Sequence, residues 1–272
     1  MSLKSTRKIL TFLCVFLIGA SSFVLLATQI AKLTVCSQGF VQRFVFTEGI
    51  NNQARENFKV ALEALENESS IPARAFEAIY NDKSAGLNEA VERLYNGHDA
   101  TLYNDDTVDR FERLCIEYLE GNQIKYDKKL VHNTAQRATR LYSDCFGIQN
   151  AQMLKDFIDG VRTSSSRYAS ASLLVMLVGV CVLFVLYKKQ GMALEKILQG
   201  FTAQGLAFIV CPLICLLARI GQHSQVYPLL YAQACSNLVR SVYFIALVIG
   251  ILICTVSLLI NVNIIKKNIK NS

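Results

Sequence analysis

Residues 169–187 read ASASLLVMLVGVCVLFVLY, a stretch without a single charge that runs directly into Lys188 and Lys189. At 1.5 Å of rise per residue, a helix of about 20 residues crosses the roughly 30 Å hydrocarbon core of a bilayer, with its backbone polar groups satisfied internally. Outward from this stretch lie three more charge-free runs, at 9–31, 201–218 and 241–265. A Lys or Asp at the bilayer centre costs about 2.5–3.5 kcal/mol on insertion scales. Four unbroken runs with Lys or Arg at nearly every boundary therefore predict transmembrane helices, not the buried helices of a soluble core. The first run continues through Phe23, Val24, Leu25, Leu26 and Ala27, beyond the roughly 7–15 apolar residues of a signal-peptide core. It reads as a retained span.

Charge placement sets the expected orientation. The chain holds 28 Lys and Arg against 21 Asp and Glu, a net +7 that would suit nucleic acid if it were gathered on one surface. It is not gathered: residues 32–168 hold 17 basic and 20 acidic residues, and the excess of positive charge falls at 1–8, 188–200, 219–240 and 266–272. Lys and Arg in short flanks mark the cytoplasmic side. The expected order is a cytoplasmic N-terminus (1–8), transmembrane helix 1 (9–31), an extracellular domain (32–168), transmembrane helix 2 (169–187), a cytoplasmic loop (188–200), transmembrane helix 3 (201–218), an extracellular loop (219–240), transmembrane helix 4 (241–265) and a cytoplasmic tail (266–272). Arg219 and Arg240 then snorkel to the headgroups at helix ends.

Segment 32–168 reads as helical. Ile50, Ala54, Phe58, Ala61, Leu62 and Leu65 form one stripe at helical spacing, and Pro72 precedes a second with Phe76, Ile79 and Tyr80. Ser84 is the expected cap of a helix bearing Leu87, Val91, Leu94 and Tyr95 that stops at Gly97. The next carries Val108, Phe111, Leu114, Cys115, Tyr118 and Leu119 up to Gly121, and another carries Leu130, Thr134, Leu141, Tyr142 and Cys145 up to Gly147. Ala151, Leu154, Phe157, Ile158 and Val161 form a last stripe that leads into the second span. Stripes this narrow are stable when packed together, so the fold class is an all-α membrane protein: four transmembrane helices with a large helical-bundle ectodomain between the first and second.

Nine cysteines divide by region. Cys14, Cys181, Cys211, Cys215 and Cys254 fall in the apolar runs, whereas Cys36, Cys115, Cys145 and Cys235 fall on the expected outer side, where an even set reads as two disulfides. Cys36 and Cys235 both flank spans, which leaves Cys115 for Cys145. Four free thiols in an organelle membrane are the alternative. Asn67-Glu68-Ser69 is a glycosylation sequon between a helical stripe and Pro72.

Within the spans, small residues at four-residue spacing mark expected packing faces: Ala203, Ala207, Cys211 and Cys215 in the third, Ala246, Gly250 and Cys254 in the fourth. Gln204, Asn261 and Asn263 are assigned to inner helix ends, solvated at the interface. No catalytic, cofactor or metal site emerges. His98, His132 and His223 lack a second ligand at metal spacing, and Asn104–Asp109 reads as a helix cap with acids in its first turn, lacking the central Gly and distal Glu of a calcium loop. Phosphate-loop, nucleophile-elbow and zinc-protease motifs are missing. The composition points to a non-enzymatic cell-surface protein of the plasma membrane, or of an endomembrane, whose disulfide-stabilised ectodomain recognises protein partners in adhesion, cell–cell recognition or organisation of membrane proteins. Its expected partners are the lipid bilayer and protein, without nucleic acid. The alternatives are a homo-oligomeric channel subunit and an accessory subunit of a channel or receptor.

Overall fold

The computed structural model describes residues 3–82, 84–187, 189–220 and 229–270. Among them every regular element is helical: α1 Leu3–Thr34, α2 Gln38–Phe40, a π turn Val41–Val45, α3 Glu48–Ser69, a 3-10 turn Ala73–Phe76, α4 Glu77–Asn81, α5 Leu87–Asn96, α6 Asp105–Gly121, α7 Lys128–Phe146, α8 Ala151–Leu186, α9 Gln190–Leu217 and α10 Leu229–Lys270. Four helices are long and apolar enough to cross a membrane, and they contain the four charge-free runs except for Tyr187 and Ala218, which fall one residue past α8 and α9. The helices outrun those runs. Most of 188–200, expected as a loop, belongs to α9, and α10 begins inside the expected 219–240 loop. Loss of charge marks hydrocarbon, whereas a helix continues wherever its backbone bonds and packing persist. His223 lies outside the described residues.

The chain divides into two compact units. The span unit comprises Met1–Cys36, Gly160–Ser224 and Cys235–Ser272. In it Cys14, Ile18, Leu183 and Ile197 form one buried cluster from α1, α8 and α9, and Ile30, Phe208 and Ala246 form another from α1, α9 and α10. Apolar side chains gain little by leaving lipid for each other, so close backbone approach must supply contact. A Cβ placed on Gly19 would lie 3.1 Å from the Gly200 carbonyl oxygen, and one on Gly250 would lie 2.8 Å from that of Gly205. Hydroxyls in the same helices bond locally: Ser22 donates to the Ile18 carbonyl at 2.7 Å and Thr34 to that of Ile30 at 2.7 Å.

The helical domain comprises Ser37–Asp159 with Gln225–Ala234. Phe58 of α3, Phe111 of α6, and Tyr142 and Phe146 of α7 are fully buried, with ring centroids 5.4 Å apart for Phe111–Tyr142 and 5.5 Å for Phe58–Tyr142. These are edge-to-face distances. The predicted stripes supply this core, with two displacements. On α7 Val131 is buried and Leu130 exposed, one position off the predicted face; at the start of α8 Ile158 is buried, while Leu154 and Phe157 are exposed.

Helix ends show which local signals hold. Asn104 caps α6 by accepting from the Thr107 backbone N–H at 2.9 Å, with Asp105 and Asp106 in the first turn, and Gly97 ends α5 at φ 79°. Ser84 does not cap α5. The Asp82 carboxylate holds the Ser84 hydroxyl (2.6 Å) and backbone N–H (2.8 Å), so Gly86, at φ 76°, becomes the cap residue. Gly121 lies within α6, and the left-handed position falls two residues later at Gln123. Gly147 does end α7, in extended backbone, and a Cβ there would lie 2.2 Å from the Thr101 carbonyl oxygen.

Candidate functional site

In the helical domain the polar groups converge on Tyr142. Its buried hydroxyl accepts from the Gly86 N–H at 2.6 Å and donates to Glu89 at 3.0 Å. Glu89 in turn pairs with Arg93 at 3.0 Å and Arg110 at 3.5 Å, and Arg110 reaches Asp82 at 3.5 Å. The Ser84 hydroxyl and N–H, more than Arg110, hold the Asp82 carboxyl below its usual range. This network ties α5, α6 and α7 and the turn before α5 together and fixes the glycine cap. Sequence reading placed Tyr142 on an apolar stripe and missed its hydroxyl, because both partners lie more than 50 residues away. Tyr231, assigned to a loop, is helical in α10; its hydroxyl donates to the Gly147 carbonyl and its ring meets Phe46 edge-on at 6.4 Å.

No two of the nine cysteines are bonded to each other. The Cys115–Cys145 pairing is not shown, and helix geometry sets the two residues apart. α6 and α7 run antiparallel, with His132 against Glu112 at 2.7 Å and Ser143 against Thr101, at the approach to α6, at 2.6 Å. Cys115 therefore faces α7 near residue 130 and Cys145 lies beyond the start of α6, about 22 Å apart along the hairpin at 1.5 Å per residue. A disulfide needs Cα atoms within about 7 Å. Cys115 is instead a core residue whose thiol is pushed up to about 12, first by burial and then by the Glu112 charge. Cys36, just past α1, and Cys235, in the second turn of α10, both belong to the span unit.

Asn67 is exposed in the last turn of α3, Glu68 pairs with Arg137, and the Ser69 hydroxyl donates to the Leu65 carbonyl at 2.8 Å. His98 is exposed, and His132 sits on the surface between Glu112 and Gln136. Among the described residues no three His, Cys, Asp or Glu side chains gather as metal ligands would.

Burial along the spans takes in the expected small residues on α10 and mostly other residues on α9. On α10, Ala246 is buried against Phe208 and Ile30, Gly250 meets Gly205, and the Cys254 thiol lies 3.6 Å from the Thr202 carbonyl oxygen. On α9, Ala203 and Cys211 are exposed and Ala207 and Cys215 half-buried; the buried stripe is Ala193, Ile197, Gly200, Gln204, Gly205, Phe208 and Pro212. Because α9 starts at Gln190, Gln204 stands at mid-helix, not at an end. It is buried, and its amide nitrogen donates to the Ser22 carbonyl of α1 at 3.1 Å. That bond selects the face, and a count of small residues does not register it.

No protein-family model matches the chain, and no match is found among curated proteins or solved structures.

Proposed function

We propose that this chain is a four-pass cell-surface protein whose helical domain lies outside and recognises protein partners, with both termini in the cytoplasm. The observation that carries the reading is the domain itself. It has an aromatic core of its own and holds 20 of the 21 acidic residues, so nearly all chemical variety outside the bilayer is concentrated there. Recognition surfaces combine such a polar surround with exposed apolar anchors. Met153 and Phe157, 75% and 57% exposed at the start of α8, supply anchors of that kind.

The orientation follows the positive-inside rule applied to the basic flanks. On this reading Asn67 carries a glycan and Cys36 is joined to Cys235, while Cys115 and Cys145 are thiols. Peptide mapping of the unreduced protein from cells tests the orientation: a glycan on Asn67 with a Cys36–Cys235 linked peptide is expected, and a bare Asn67 with both cysteines as thiols overturns it. Mass in detergent tests the role. A monomer or dimer is expected, and a uniform ring-sized oligomer would replace recognition with channel formation.

A further inference from the structure

The span unit contains an apolar cavity of ≈ 260 Å³ between α1, α9 and α10. Its walls include Phe23, Ala27 and Ile30 of α1, Phe208 and Pro212 of α9, and Ala246 of α10. A cavity of this kind stays dry, because a water inside it needs two to four polar partners. Of the two wall hydroxyls, that of Thr34 is already donated to the Ile30 carbonyl at 2.7 Å and that of Tyr243 is engaged with the Cys215 thiol. Hydrocarbon is the filling that such walls accept.

The same three helices each carry a cation beside the cavity. Lys32 lies between the wall residues Ala31 and Thr34, Arg240 three residues before Tyr243, and Arg219 four residues after Cys215. Arg219 and Arg240 are exposed and Lys32 is half-buried, and none of the three forms an ion pair among the described residues. The unit holds one acidic residue, Glu195, in the first turns of α9, whereas Cys215 is near its last turn. At 1.5 Å per residue these are about 30 Å apart. No carboxylate of the unit neutralises the cationic end. Juxtamembrane cations favour anionic lipid, and here they adjoin a space suited to a hydrocarbon tail.

We infer that α1, α9 and α10 form a binding site for one anionic phospholipid, with an acyl chain in the cavity and the phosphate against Lys32, Arg219 and Arg240. The inference rests on the reading that these helices span a bilayer. With the helical domain outside, the three cations face the outer leaflet, so the lipid is held by this site and not by the anionic surface of the cytoplasmic leaflet. A free anion lacks the part that the cavity takes, and a zwitterionic lipid brings a cation to the same three side chains.

Full-length protein reconstituted in phosphatidylcholine bilayers provides the test, with trace phosphatidylglycerol or phosphatidylcholine bearing a photoreactive group on one acyl chain. Phosphatidylglycerol should label peptides of α1, α9 and α10 that line the cavity, in preference to phosphatidylcholine. At about 1 kcal/mol per surface cation, Arg219→Gln and Arg240→Gln should each lower that labelling about fivefold and leave phosphatidylcholine labelling unchanged. Ala31→Leu, at a half-buried wall position, should reduce cavity labelling while the protein still elutes as one species. Equal labelling by the two lipids, unaltered in the arginine variants, overturns the headgroup site; labelling spread evenly over all four long helices overturns the cavity. Retention in membranes through an alkaline carbonate wash separately reads whether the chain spans the bilayer.

Discussion

The two units carry the same number of cations and differ almost entirely in acids. The span unit has 14 Lys and Arg with one acidic residue, and the helical domain has 14 with 20. Their interiors differ as sharply. The helical domain closes around bulky rings, with Phe58, Phe111, Tyr142 and Phe146 meeting edge to face, whereas α1, α9 and α10 approach one another at glycines. In water, burying a large ring removes apolar surface from solvent and drives folding. Between lipid tails that gain vanishes, and what remains is close contact and a few interhelical hydrogen bonds. One chain thus follows two packing rules, and the placement of acidic residues shows where each applies.

The largest expected effect tests the aqueous rule. Phe111→Ala removes a fully buried ring that touches Phe58, Phe76 and Tyr142, and should cost about 3–5 kcal/mol of domain stability. With no Trp in the chain and 11 Tyr, tyrosine fluorescence during urea unfolding is a suitable probe. A loss below about 1 kcal/mol would mean that the ring cluster is not the domain's core. Next is the span rule. Gly250→Leu places a side chain where even a Cβ lies 2.8 Å from the Gly205 carbonyl oxygen and 2.9 Å from Phe208, and should cost about 1–3 kcal/mol. Thermal unfolding in detergent reads it, and an unchanged midpoint would break the contrast between the units.

A smaller effect separates ring burial from polar anchoring within one side chain. Tyr142→Phe keeps the ring and leaves the Gly86 N–H without its acceptor, at a cost of about 1–3 kcal/mol. Urea unfolding should show a clear loss, smaller than that of Phe111→Ala. No loss would show that Gly86 is held by its fit against Phe146 alone, where a Cβ would lie 2.8 Å from the ring.

How far the sequence was legible follows the same division. Periodicity located Phe58, Phe111 and Tyr142 because apolar spacing in an aqueous helix reports the buried face directly. Where competing local bonds decide, reading fell short: Ser84 has the chemistry of a cap, but Asp82 two residues earlier captures it. The charge-free runs found all four long helices and misplaced their ends, since α9 starts at Gln190 and α10 at Leu229. The expected Cys115–Cys145 bond is not seen, for a positional reason. Residue counts cannot show that a helical hairpin separates two cysteines along its length.

The least legible feature was which face of α9 packs, and the smallest expected effect tests it. In an aqueous helix a small residue on the outer face is unremarkable because polar neighbours identify that face. In a lipid-facing helix both faces are apolar, so Ala203, Ala207 and Cys211 resemble a seam although Ala203 and Cys211 are exposed. The seam instead runs through Gly200, Gln204, Gly205 and Phe208, and its one polar member donates its amide nitrogen to the Ser22 carbonyl. Ala203→Leu should therefore shift stability by no more than about 0.5 kcal/mol, the usual range for an uncommitted surface. Measured beside Gly250→Leu in the same detergent, a near-zero shift places Ala203 against lipid. A loss comparable to that of Gly250→Leu, with a fall in particle mass, would instead place Ala203 against another chain, because only a protein surface presents fixed atoms for the larger side chain to strike.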